Sequence, residues 1–485
     1  MDFLFAALKG DSMMHVHPSE IESYLEQEAG LGKSFDVGVR KLTIAGEPLH
    51  LYFITGLVDT RFIIELIESL LTVEKKRKEP AIDILKNHFV HQSVEEINDQ
   101  SKLTVALLSG LIVIAVPDGV FTIDVRSYPG RQPEEPDTEK VVRGSRDGYV
   151  ENIVINTALT RRRIRDGRLR FEMMKAGSVS KLDIAVGYME GIADPIIVEK
   201  VKKEIESIDI AGVPMADKTV EEFIVKQRYN PFPLVRYTER ADIGAAHLLE
   251  GHVLLFTDTS PAVMIMPATY LQHLQHAEEY RQLPAAGTFI RMIRYIGLWM
   301  SLFLLPLWFL FAQHPEMLPE ALSFIGPNEK TKIPLAVQIL IADVGIEWLR
   351  IAAIHTPMPL STAMGLVAAV MIGQIAIDTG LFVPEVILYT ALAAIGTFST
   401  PSYELGLANK MIRLFFILSI AFFGAAGFVI AFTLFFLFLV RLKPFGAPYL
   451  WPLVPFDAKS LLTILIRRQA PEQSGIPQIN RVSSD

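Results

Sequence analysis

The sequence predicts an α/β soluble region of two subdomains followed by an all-α polytopic membrane domain, and three observations carry that expectation. Residues 289–443 hold three charge-free runs: Tyr295–Gln313 with 19 residues, Thr356–Ile377 with 22 and Leu414–Val440 with 27. A bilayer core about 30 Å thick needs roughly 20 apolar residues in a helix, so each run is long enough to span it. The preceding 288 residues instead alternate short strand and helix patterns between turn residues. Charge divides at the same place: residues 1–288 hold 33 Lys+Arg against 43 Asp+Glu, and the remainder 13 against 11.

Composition limits the chemistry. The 485 residues include no cysteine, which excludes disulfides, thiolate metal ligands and a thiol nucleophile, and suits a soluble part facing the cytoplasm. The opening MDFLFAALKGDSMM has a short apolar run and no basic start, so no signal peptide is expected there. An acidic soluble part argues against nucleic acid as a partner. The 11 histidines form no set with metal-ligand complement, and no nucleophile elbow, triad order or dinucleotide fingerprint occurs. Neither a cofactor nor an enzymatic activity is expected.

The first subdomain covers 1–128. Glu20–Glu28 reads as a helix, Phe35–Ile44 and Leu49–Thr55 as strands about Ala45-Gly46, and Arg61–Leu71 as a helix. Glu74–Glu79 is a charged connector, and Leu103–Ala115 and Val120–Val125 are read as strands about Pro117-Asp118-Gly119. Gly30-Leu31-Gly32-Lys33-Ser34 ends like a phosphate-binding loop, but Gln27 stands where that motif needs glycine and the strand and helix come in reverse order, so ATP binding is not expected. A Pro-rich, charged linker follows at 129–140.

The second subdomain covers 141–288. Tyr149–Ile164 reads as a helix ending in Arg161-Arg162-Arg163, cations that favour the carbonyl end of the helix dipole. With Arg165 these arginines are candidates for oligomer or partner contacts, against the plainer reading of a solvated helix end paired to local carboxylates. Lys181–Val186 reads as a strand, Pro195–Ile205 as a helix capped by Asp194, and His252–Thr257 with Ala262–Met266 as a hairpin about Asp258-Thr259-Ser260.

In the helical part, 289–443, Val386–Tyr403 is a weaker span, broken by Pro401. Ile333–Thr356 carries Asp343, Glu347 and Arg350 at steps of four and three, which stacks them on one face. Charges in a membrane segment cost about 2.5–3.5 kcal/mol each on insertion scales, so this face meets protein or water. Gln374 and Asp378 also lie four apart, among small residues Ala363, Gly365, Ala368, Ala369, Gly373 and Ala376 that permit close helix approach. Asp343, Glu347, Arg350, Gln374 and Asp378 are therefore the candidates to line an ion path, against an interfacial helix or a structural ion pair. Positive charge at Arg291 and Arg294 starts the first span in the cytoplasm. Four full spans with 333–354 re-entrant or interfacial return the tail, 444–485, to that side and leave Lys410 and Arg413 outside; five spans reverse this.

Residues spread over 140–455 resemble the A subunits of GerA-type spore germinant receptors. They include Arg143-Gly144-Ser145-Arg146-Asp147-Gly148-Tyr149-Val150-Glu151, Asn156, Arg161-Arg162-Arg163, Gly191-Ile192-Ala193-Asp194, Pro231-Phe232-Pro233 and Thr238-Glu239-Arg240. Further along they include Glu347, Leu349-Arg350, Gly373-Gln374, Pro401-Ser402-Tyr403, Arg413 and Phe445-Gly446-Ala447-Pro448-Tyr449. The stretch 32–41 is similar to the sporulation branch of that family, and the chain departs from the common pattern at Asp194 and Ala241. The resemblance implies a multi-pass protein of the spore inner membrane with a large cytoplasmic N-terminal region. It also implies a homo-oligomer, a pentamer, forming an ion channel with a permease-like B-type subunit that takes the nutrient. A secondary transporter and a membrane scaffold for other germination proteins are the competing readings.

Overall fold

The structure is a computed structural model that describes residues 17–44, 46–72, 93–97, 99–117, 119–128, 139–327, 333–355, 374–467 and 469. These fall into two compact units, one reaching Lys226 and resuming at Tyr237–Pro267, the other made of Gln227–Arg236 and the chain from Ala268. Both α/β subdomains thus share one unit. Residues 227–236 and 268–288, expected in the second subdomain, belong with the helices. The reason is visible at Phe232, which is buried with its ring 6.1–6.4 Å from those of Tyr270, Phe435, Phe438 and Tyr449.

The first subdomain contains α1 (Pro18–Glu28), β1 (Val37–Ile44), β2 (Glu47–Ile54), α2 (Thr60–Leu71), β3 (Val94–Glu96), α3 (Gln100–Leu108), β4 (Ile112–Val116) and β5 (Gly119–Ile123). The sheet runs in the order β1-β2-β4-β5-β3, with antiparallel pairings. Helices cover both faces. Ile112, Ile114 and Val116 pack with Ile63, Leu66 and Leu70 of α2, while Val113 and Ala115 pack with Leu25 of α1 and Leu103 and Leu107 of α3. Burial on both faces accounts for an apolar run without alternation. The expected strand Leu103–Ala115 is corrected by the same fact: its first half is the helix α3, ended at Gly110 with φ +92°, and only the rest is β4. Periodicity cannot separate a buried helix from a buried strand in such a run.

The second subdomain contains α4 (Ile153–Arg163), β6 (Leu169–Ala176), β7 (Leu182–Met189), α5 (Pro195–Glu206), α6 (Ala216–Val225), β8 (Arg236–Thr238), α7 (Ala241–Leu249), β9 (Val253–Thr257) and β10 (Val263–Met266). Its order β6-β7-β9-β10-β8 repeats that of the first sheet strand for strand. Helix α4 starts later than expected because the Asn152 side chain accepts from the N–H groups of Val154 and Ile155. Before that cap the chain is extended, with the Tyr149 N–H donating to the Glu239 carbonyl. Asp194 caps α5 as expected, accepting from Ile196 N–H at 2.8 Å.

The second unit is helical: α8 (Ala277–Arg281), α9 (Pro284–Trp299), a π-turn over Met300–Leu304, α10 (Leu305–Gln313), α11 (Leu335–His355), α12 (Pro384–Phe398), α13 (Tyr403–Arg441) and α14 (Ala458–Leu465). Among the described residues, Pro284–Gln313 and Tyr403–Arg441 are long and apolar enough to cross a membrane. Most of the expected run Thr356–Ile377, including the small residues of 363–373, lies outside the described residues, as do 74–79 and most of the linker 129–140.

One expectation for the helices is corrected. The run Leu414–Val440 is not one span, because α13 reverses at Gly424, whose φ of 56° and ψ of −140° only glycine adopts readily. The ring of Phe416 lies 5.7 Å from those of both Phe428 and Phe435, so 403–423 and 425–441 are antiparallel arms. The segment 333–354, expected to be re-entrant or interfacial, forms the continuous helix α11.

Candidate functional site

The charged face of α11 meets the first arm of α13. Asp343 is fully buried and accepts from Arg413 Nη2 at 2.5 Å, with Lys410 Nζ 3.9 Å from the same oxygen. Lys410 donates to the Asp343 carbonyl and to Glu347 Oε2, both at 2.8 Å. Glu347 also pairs with Arg350, whose guanidinium lies 4.7 Å from the centre of the Tyr403 ring. Three cations thus share two carboxylates. Lys410 and Arg413, which the four-span reading leaves outside and the five-span reading reverses, lie on α13, buried and paired, because apolar surroundings leave a charge no cheaper partner than an opposite one.

The fourth contributor is backbone. Pro306 has no N–H for the carbonyls one turn earlier, and its ring crowds that turn. The helix responds with the π-turn over Met300–Leu304, a device that turns a carbonyl aside. Arg413 Nη1 takes the Ser301 carbonyl at 2.6 Å and reaches Thr397 Oγ1 at 3.4 Å. Among the described residues, Asp343 Oδ2, Arg413 Nε and Asn409 Nδ2 are buried without a hydrogen-bond partner.

The cluster grades from sealed to open. The side chains of Asp343 and Arg413 are closed off, whereas those of Glu347 and Arg350 keep 21% and 15% exposure. Around them on α11, Ile341, Trp348 and Ile351 are exposed. Gln374 and Asp378 lie on the helical stretch 374–378 and are both exposed. The structure therefore brings together three of the five expected path-lining residues and adds Lys410, Arg413 and Ser301. A signal for the missed pair was present: Lys410 and Arg413, three apart on an apolar flank, complement Asp343 and Glu347, four apart on another.

In the α/β unit the arginines divide. Arg161, expected at a partner surface, is completely buried: its Nε donates to Asp36 Oδ2 at 2.8 Å and its Nη2 to the Leu169 carbonyl at 3.0 Å. It joins the two subdomains from inside and has no surface to offer a partner. Ser34 completes the joint, donating to Asp36 at 2.6 Å and accepting from Phe171 N–H at 2.9 Å. The stretch once compared with a phosphate loop thus serves an internal contact, and Lys33 pairs with Glu190, holding that carboxyl below the usual range by its hydrogen bond. Arg163 pairs with Asp147 at 2.6 Å; Arg162 is exposed with its guanidinium 4.4 Å from the Tyr128 ring centre, and Arg165 is exposed. Among the described residues no group of three or more His, Asp or Glu is placed to hold a metal ion.

Residues distant in sequence therefore converge: Glu347, Arg350, Tyr403 and Arg413 in one cluster, Phe232 and Tyr449 in another. A family model described as Bacillus/Clostridium GerA spore germination protein matches residues 23–479. The chain is 55% identical over 467 residues to stage V sporulation protein AF of Bacillus subtilis (strain 168), spanning 96% of this chain and 95% of that protein. Spore germination protein KA of the same strain is 32% identical over 464 residues, 93% of this chain and 85% of that protein. The crystal structure of the N-terminal domain of the A subunit of the Bacillus megaterium spore germinant receptor GerK3 is similar over 54% of this chain and 99% of that one, with 26% identity and a TM-score of 0.43. The narrower expectation of the sporulation branch accords with the first of these relatives. On the family match across nearly its whole length, this chain belongs to the GerA family of spore germination proteins.

Proposed function

We propose that this chain is a non-enzymatic subunit of an oligomeric ion channel in the spore inner membrane, releasing ions, cations foremost, when germination is signalled. The observation that carries the reading is the charged edge of α11. Glu347 and Arg350 reach the surface between exposed Ile341, Trp348 and Ile351. A charge pair facing lipid is costly, so that edge meets water or another subunit. Repeated around a ring of copies, five by family resemblance, it forms a polar seam through an apolar wall. In this reading Glu347, Arg350, Gln374 and Asp378 border the path, and Asp343 stands behind them as the anchor for Arg413 and Lys410. A permease-like B-type subunit is the expected partner, with Arg162 and Arg165 available on the α/β unit for subunit contacts.

Currents from the purified full-length protein in planar bilayers test the reading, with oligomer size measured by native mass spectrometry. Unitary currents whose ion selectivity changes in Glu347→Gln and Asp378→Asn are expected. Slow saturable flux favours a transporter; silence from a correctly assembled oligomer favours a scaffold. Unchanged selectivity in both variants removes these side chains from the path.

A further inference from the structure

Helix α14 contributes no residue to the charged cluster of α11 and α13, yet it is held by several hydrogen bonds. Asp457 caps it by accepting from the N–H groups of Lys459 and Ser460. Its last carbonyls face α9: Arg291 donates to the Ile464 carbonyl at 2.7 Å and to that of Thr463 at 3.3 Å. Arg467 N–H donates to Thr288 Oγ1 at 3.1 Å, and its guanidinium to the Tyr280 carbonyl at 2.7 Å. The tail is therefore strapped across the start of the first apolar helix.

The outer side of that strap is apolar and open. Leu462 and Ile466 are 47% and 45% exposed, and Leu453 and Phe456, just before the helix, 42% and 72%. The apolar surface continues on α9, where Phe289 and Ile293 are 65% and 50% exposed. Beneath it Arg291 and Arg294 both pair with Glu279, which is fully buried, and Arg467 donates to the Tyr280 carbonyl beside them. Two guanidiniums share one carboxylate, and Arg291 Nη2 and Arg467 Nε and Nη1 are buried without hydrogen-bond partners. Lys459 adds an exposed cation on α14 itself. An apolar face beside cationic groups is what an amphipathic helix presents when it lies in the headgroup layer of an anionic membrane.

We propose that α14 and residues 453–456 form an interfacial anchor that sits among anionic lipid headgroups on the side of the bilayer where α9 begins, with exposed Lys459 and the partly exposed Arg467 toward lipid phosphate. The inference rests on the membrane reading above. Because the chain has no cysteine, single labels can be placed in the whole protein without background. A polarity-sensitive fluorophore is attached at Leu462→Cys and, separately, Phe456→Cys, in vesicles of phosphatidylcholine with phosphatidylglycerol. Ile430→Cys, on an exposed apolar position of α13, is the reference. Nitroxides near the headgroup end of the acyl chains are expected to quench both tail labels several-fold more than aqueous iodide does, with the preference lost in phosphatidylcholine alone. A lipid-quenched Ile430 label beside tail labels open to iodide, or reached by neither quencher because a second copy covers them, overturns the anchor and leaves the membrane reading standing. An Ile430 label that lipid nitroxides do not reach overturns both, and a lipid preference independent of phosphatidylglycerol overturns the anionic partner.

Discussion

Phe416 and Phe435 lie 19 positions apart in one apolar helix, yet their rings are 5.7 Å apart because the chain folds back at Gly424 between them. In an uninterrupted helix the same separation is about 28 Å. The double variant Phe416→Cys/Phe435→Cys is therefore expected to give an intramolecular disulfide under mild oxidation, read as a gel shift reversed by reductant. A straight helix yields none within one chain.

Gly424 carries that reversal. An added Cβ meets His314 Nε2 at 2.9 Å and places a side chain in a glycine-only conformation. Gly424→Ala is expected to lower stability by about 1–3 kcal/mol, seen as a lower midpoint of thermal unfolding in detergent.

The Asp343–Arg413 pair is sealed, so removing one partner leaves an uncompensated charge. Asp343→Ala is expected to cost about 3–5 kcal/mol, and the joint replacement Asp343→Leu/Arg413→Met clearly less. Denaturation of the two single variants and the double measures this; additive losses contradict a direct pair.

Asp36 and Arg161 join the two subdomains in the same way. Asp36→Ala is expected to lose about 3–5 kcal/mol and to speed proteolysis between the subdomains, while Arg165→Ala, at an exposed position, leaves both unchanged.

His273 provides a pH test. Burial, aided by Arg236, pushes it down from 6.5 to about 3, so it stays neutral when folded and takes a proton more readily unfolded. Its contribution is complete above the unfolded value and is lost as pH falls from 6.5 toward 3. Between pH 7 and 5 about 2 kcal/mol should go, and His273→Gln should flatten that part of the stability curve.

The α/β and helical parts, the cap at Asp194, and the shared face of Asp343, Glu347 and Arg350 were legible because they depend on local period and local hydrogen bonds. Helix α3 was misread because a doubly buried strand and a buried helix present the same apolar letters. The arginine run showed charge without direction: Arg161 turned inward to Asp36, 125 positions away, and Arg162 outward.

Local chemistry in the sequence determined which stretches are apolar enough for a bilayer, where acidic and basic side chains interrupt them, and which family motifs are present. Only the tertiary structure decided that Lys410 and Arg413 neutralise Asp343 and Glu347, that a proline-induced π-turn turns a carbonyl to Arg413, and that the longest apolar run is a hairpin. Pairing of buried charges and reversal at a single glycine are settled by which helices become neighbours. That neighbourhood depends on contacts between residues tens of positions apart, which no local pattern records.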